Sequence, residues 1–156
     1  MKISKNFDIR ELVPKEIWDA YGEKSVWFID PRTISFLQEL RDILEELYPG
    51  RITVNVNTWY NGGSRTKSAY RMPNEELGAK LSQHKFGRAV DVQVFIMNGA
   101  NRSQMDPVEV NRIIFNHEKR LMDKGLTTVE NVEFTKTWNH LDCRPTGMTK
   151  LLIVNP

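Results

Sequence analysis

Two short stretches carry the residues best suited to chemistry. "SQHKFGRAVDV" holds His84 and Asp91, and "TWNHLDC" holds His140 and Asp142. Asp91 lies inside the apolar run "AVDVQVF". In a strand, alternation sets it on one face with Ala89 and Gln93, while Val90, Val92 and Val94 face the other way. The run is apolar enough for both faces to be covered, and a buried carboxylate is costly unless it is paired, hydrogen-bonded or bound to a metal. His84 sits upstream in the turn "HKFGRA", which can fold it back toward Asp91. Together they offer a metal one nitrogen and one oxygen. A catalytic zinc takes three protein ligands and keeps a position for water. His140 is the candidate third ligand. Strand geometry points Asp142 and Trp138 the same way, so Asp142 could act as proton acceptor at the same site.

Each residue also has a plainer reading. His84 with Asp91 could be a structural hydrogen-bonded pair, and His140 with Asp142 is as ambiguous. Arg71 could be a solvated loop charge, and Trp59 and Trp138 core or cleft-wall aromatics. His117 falls mid-helix between polar neighbours and reads as a surface residue. Cys143 alternates away from His140 and Asp142 and reads as a buried spectator.

The elements that must position these residues are legible in outline. "DPRTISFLQELRDILEELYPG" is the clearest helix: Asp30 can cap it, Pro31 suits its first turn, and Phe36, Leu40, Ile43 and Leu47 share a face. Two short helical pieces precede it, with Gly22 as a stop signal. "RITVNVNTWY" alternates as a strand with Ile52, Val54 and Val56 on one side. Residues 61–80 show no period and form a loop of about twenty residues, a length that is usually functional in a small domain. "AVDVQVFIM" is the next strand. "DPVEVNRIIFNHEKRLMDKG" reads as a helix, and "TVENVEF", "TKTWNHLDCR" and "KLLIVNP" as three short strands. This order predicts an α+β single domain over 1–156, with a largely antiparallel sheet flanked by helices.

Composition narrows the function classes. The chain has 156 residues and a formal net charge of +2, with 22 basic and 20 acidic residues. That mild balance, without a basic stripe, does not argue for nucleic acid. One cysteine excludes an internal disulfide, so the fold must rest on its core or on a metal. No segment approaches the ~20 apolar residues of a membrane span. The N-terminus lacks an apolar leader, so synthesis in a cytoplasm without a classical export signal is expected.

Taken together, "SQHKFGRAVDV" fits S-x-H-x-x-G-x-A-x-D and "WNHLD" fits a late aromatic-x-His-x-Asp segment. On these motifs the chain resembles the zinc D-Ala-D-Ala carboxypeptidase family, which includes phage L-alanyl-D-glutamate endolysins, and it looks closest to the small phage-type members. The resemblance implies a Hedgehog/DD-peptidase-like fold and one Zn²⁺ held by His84, Asp91 and His140. It implies Ser82 as a substrate or second-shell contact. Many members have an arginine directly after a tyrosine that follows the first strand, where it steadies the developing oxyanion. Here that place reads "TWYNGG", with Asn61, and Arg71 is the best substitute, ahead of Arg65. Many members also carry an acid three residues before the last zinc histidine as general base. That position is Thr137, and Asp142 is the expected replacement, ahead of Glu133. Trp59 and Tyr70 are expected near the cleft.

The implied substrate is a peptidoglycan stem peptide, and the implied setting a phage or prophage lysis enzyme released to the wall, or a virion component. A monomer is expected. Two other readings remain: a catalytically silent, zinc-stabilised wall-binding or virion structural protein, favoured by Thr137, and a cytoplasmic D,D-dipeptidase.

Overall fold

Asp30 and Pro31 start the main helix as their types dictate. The Asp30 carboxylate accepts from the Arg32 backbone N–H at 3.0 Å, and the helix α2 runs Pro31–Leu47. Phe36, Leu37, Leu40, Ile43 and Leu44 are fully buried, whereas Leu47, the last helical residue, is exposed. In this computed structural model, which describes residues 1–155, a shorter helix α1 (Lys15–Tyr21) precedes α2. Gly22, at φ 55, caps the end of α1 as expected, its N–H donating to the Trp18 carbonyl, and a 3₁₀ run, Gly22–Phe28, follows at once.

The sheet is mixed and mostly antiparallel, in the order β1-β2-β5-β4-β6, with β3 also on β2. The strands are β1 (Ile52–Asn55), β2 (Ala89–Asn98), β3 (Asn101–Gln104), β4 (Thr128–Glu130), β5 (Asn139–Asp142) and β6 (Leu152–Val154). The β4–β6 pair is parallel; every other ladder is antiparallel. The architecture is thus α+β, a sheet flanked by helices, as the element order predicts. β3 was not evident in the sequence because "NRSQ" is polar and fully exposed, a strand made by a turn at Gly99 rather than by burial.

The helix expected over "DPVEVNRIIFNHEKRLMDKG" is two: α3 (Pro107–Asn116) and α4 (Glu118–Asp123). They meet at His117, which is half-buried rather than a plain surface residue. Its Nδ1–H donates to the Ile113 carbonyl at 2.9 Å. The core face of β2 is apolar as alternation requires, with Val90, Val92 and Val94 buried in the same hydrophobic cluster as Phe36 and Leu40. The opposite face of β2 and β5 carries the polar residues that matter for chemistry.

Candidate metal centre

Register brings the two motifs together. β2 and β5 pair so that Asp91 lies directly opposite His140, and Ala89 opposite Asp142. Opposed residues in an antiparallel ladder share a face, with Cβ atoms about 4.5–5.5 Å apart. Asp91 and His140 therefore meet without any loop rearrangement. His84 arrives from the short 3₁₀ turn Gln83–Phe86, which ends at Gly87 with φ 65. A Cβ at Gly87 would stand 2.0 Å from the Phe28 carbonyl oxygen, so only glycine fits between this turn and the chain leading into α2.

The result is a tight triangle of potential ligand atoms. His84 Nε2 lies 3.2 Å from His140 Nδ1, His140 Nδ1 lies 2.9 Å from Asp91 Oδ1, and His84 Nε2 lies 3.2 Å from Asp91 Oδ1. All three residues are buried, and the group could hold a metal ion. Bonds of ~2.0–2.1 Å in tetrahedral geometry put ligand atoms about 3.3 Å apart, so the observed edges suit a small divalent ion.

The surroundings also suit one. His84 Nδ1–H donates to the Ala69 carbonyl at 2.7 Å, which leaves Nε2 with its lone pair toward the triangle. His140 Nε2–H donates to Asp142 Oδ2 at 3.2 Å, which turns Nδ1 toward the triangle. Metal-bound histidines are oriented by such partners. Arg71 Nη2 donates to Asp91 Oδ2 at 2.9 Å, leaving Oδ1 for the triangle. The backbone of Asp91 is held too: its N–H donates to the Ser68 carbonyl and its carbonyl accepts from Arg65 Nη2.

Electrostatics follow from this packing. Burial depresses the His84 pKa, keeping it neutral and ready to ligate. Burial acts to raise Asp91, but the two histidines beside it hold its carboxyl well below the usual range. Burial also opposes charge on His140, yet hydrogen bonds to Asp142 and Asp91 outweigh it and push its pKa up to about 9. Asp142 falls to about 2, since His140 and Arg144 overcome its own burial.

A cavity of about 620 Å³ opens over the triangle. His84, Asp91 and His140 line its floor, with Arg71, Ser82, Trp138 and Glu130 around them. The segment 61–80 forms one wall, as its length suggested, through Arg65, Lys67, Ser68, Arg71 and residues 77–79. It is tied to the site at Arg71, whose backbone N–H donates to the His84 carbonyl at 3.1 Å.

Three expected residues take other places. Asp142 is fully buried and does not line the cavity. It sits behind His140, against Nε2 rather than Nδ1, and is further bound by Arg144. Strand geometry aims it along His140's face, as expected, but the imidazole ring stands between it and the ligand atoms. Its position is that of a hydrogen-bond partner of His140 Nε2, away from the cavity. Trp59 is turned away, its Nε1–H donating to the Val13 carbonyl at 2.9 Å. Tyr70 is buried, packed on Phe28 with ring centroids 5.2 Å apart. Neither lines the cavity; the packing of the N-terminal segment claims both. Thr137 is exposed, and its carbonyl accepts from Gln93 and Gln104. Glu133 is likewise exposed and off the cavity. Cys143 is buried in the hydrophobic core beside Thr33, with Sγ 3.6 Å from Oγ1, and does not line the cavity, as alternation indicates.

Glu130, at the end of β4, also lines the cavity. In the sequence it is only the acid of the short strand "TVE", beside a motif strand whose pairing the sequence does not reveal.

No family model, curated protein or solved structure matches the chain. The functional reading therefore rests on the chain's own residues.

Proposed function

We propose that the chain is a zinc-dependent peptidase that hydrolyses amide bonds in peptidoglycan stem peptides, in the manner of the zinc D-Ala-D-Ala carboxypeptidase family and its phage endolysins. The observation that carries this reading is the buried triangle of His84, Asp91 and His140 at the floor of an open cavity, each ligand oriented by its own hydrogen-bond partner. Its order along the chain, S-x-H-x-x-G-x-A-x-D and then W-x-H-x-D, supports the choice of family and a Hedgehog/DD-peptidase-like fold. Two imidazoles and one carboxylate form a donor set typical of catalytic zinc.

A zinc ion held by His84, Asp91 and His140 would supply Lewis acidity, activating water and polarising an amide carbonyl. The chain's own residues do the rest. With the metal bound, His84 and His140 would present unprotonated nitrogens, and Asp91 Oδ1 would bring a negative charge. Arg71 holds Asp91 through Nη2 and donates through Nε to the Lys67 carbonyl. Its Nη1 faces the cavity wall near Gly78 and remains able to donate to a carbonyl oxygen as charge develops on it. Arg65, Lys67, Arg71 and Arg144 make the walls predominantly cationic, which suits a substrate with carboxylate groups. Ser82 lies at the cavity edge as a substrate contact. The setting we propose is wall lysis after release from the cell that makes it, or at entry from a virion, as a monomer.

A second reading, a silent zinc-stabilised binding or virion protein, draws on one specific observation: neither Thr137 nor the buried Asp142 can serve as general base. One experiment separates the two. Purified protein should contain about one zinc per chain. Incubated with peptidoglycan, it should release fragments whose new ends, read by mass spectrometry, show the cleaved amide. Zinc without any released fragment would favour the silent protein. Absence of zinc, with His84→Ala still folded and active, would remove the metal site itself.

A further inference from the structure

The row of residues across the sheet does not end at His140. β4 pairs antiparallel with β5, with Thr128 opposite Asp142 and Val129 opposite Leu141. One more step of the same register sets Glu130 opposite His140, on the face that carries Asp91. Asp91, His140 and Glu130 thus form one line over three adjacent strands, and all three line the cavity. β6 closes the line, with Val154 beside Glu130 and also on the cavity wall.

Glu130 differs from every other carboxylate in this neighbourhood. Asp91 is committed to both histidines and Arg71, and Asp142 to His140 and Arg144. Among the described residues, the Glu130 side chain has no hydrogen-bond or ion-pair partner. It is half-buried, and burial raises its pKa, with the Asp91 and Asp142 charges adding to the rise and His140 and Arg144 opposing it. Arg71 is the other charge within its field. A free carboxylate with an elevated proton affinity, one strand spacing from a metal-ligating ring, has the makeup of a general base.

We propose that Glu130 is the catalytic general base, in the role for which Thr137 lacks the chemistry and Asp142 the access. This rests on the peptidase reading above. Glu130 takes a proton from the attacking water as the water oxygen bonds to the amide carbon. It then delivers that proton to the departing nitrogen as the C–N bond breaks. One water is consumed, one carboxyl and one amine are formed, and Glu130 returns to its ionised state.

The test uses the full chain loaded with zinc, and separately with cobalt as a spectroscopic substitute. Glu130→Gln should keep about one zinc per chain and the wild-type melting temperature, and lose peptidoglycan cleavage by about 10²–10⁴-fold in kcat. Glu130→Asp, which retains a carboxylate on a shorter arm, should retain part of that rate. A second readout needs no substrate. The visible bands of cobalt-loaded protein titrate with pH, and removing a negative charge about 5–6 Å away should move the midpoint down by about 0.5–2 pH units in Glu130→Gln. Wild-type cleavage by Glu130→Gln overturns the proposal, as does loss of its metal, which would make Glu130 a ligand. If the wild-type protein cleaves nothing, the peptidase reading fails. The cobalt titration then still decides the placement of Glu130: an unmoved midpoint overturns it, and a shifted one upholds it.

Discussion

Replacing Asp142 by asparagine separates two roles that a carboxylate beside a metal centre can play. Asp142 Oδ2 accepts from His140 Nε2 at 3.2 Å and from Arg144 Nη2 at 2.5 Å, and Oδ1 accepts from the Arg144 backbone N–H at 3.0 Å. An asparagine has one oxygen and one NH₂ for these donors. If the oxygen stays with Arg144, the NH₂ faces His140 and forces Nε2 to accept. The ring proton then moves to Nδ1, the atom that completes the ligand triangle, and ligation there is lost. If the oxygen stays with His140, the NH₂ opposes the donors of Arg144, and a buried group goes unsatisfied at a cost of about 1–3 kcal/mol. Loss of a partner that orients a ligand histidine typically weakens metal binding by about 10–100-fold, which is about 1.4–2.7 kcal/mol. Competition against a chromophoric zinc chelator measures this directly, with circular dichroism to establish folding. The expected outcome is weaker zinc binding, with activity restored in part by excess zinc. Wild-type zinc affinity together with abolished cleavage would refute the reasoning and return Asp142 to the role of base.

Other outcomes follow from the same geometry. At pH 7 His140, with its pKa near about 9, carries a proton that a metal must displace, whereas His84 is neutral and Asp91 ionised. Zinc uptake should therefore release about one proton at neutral pH and fewer as the pH rises past 9; calorimetry in buffers of different ionisation enthalpy counts them. In the metal-free protein the sign reverses. The raised pKa of His140 contributes stability that is full below about 6.5 and fades as pH rises through about 9. The lowered pKa of Asp142 contributes stability present above about 4 and lost as pH falls toward about 2. The depressed pKa of His84 works the other way, costing stability as pH falls below about 6.5. Melting temperature in a chelator should thus be highest near about pH 6.5 and decline toward pH 9, and a maximum near pH 9 would contradict this. Gly87→Ala combines a φ of 65 with a Cβ 2.0 Å from the Phe28 carbonyl oxygen. It should cost about 2 kcal/mol or more, lowering Tm by roughly 4–8 °C and loosening metal binding through His84.

The buried triad that could hold a metal ion was legible in the sequence because its signals are local. His84, Gly87 and Asp91 lie within one turn and one strand start, and period-two alternation alone sets Asp91 and His140 on faces of their own strands. The main helix, with its Asp30-Pro31 start and its apolar face, was equally plain, since capping and amphipathic burial are decided within a few residues. The α+β class followed from the order of such elements.

What alternation does not reveal is which strand lies beside which. It aims Asp142 along His140's face, but only the packed ring shows that the carboxylate lies behind the imidazole and off the cavity. Trp59 and Tyr70 sit next to the loop in sequence, yet the N-terminal segment folds over and takes both into its own packing. Glu130 is ten positions from His140 along the chain and one strand spacing away in the sheet. That proximity comes from hydrogen bonds between β4 and β5, and alternation within either strand does not fix the register between them. The sequence by itself determined which atoms could bind a metal; the sheet register decided which carboxylate stands free beside them.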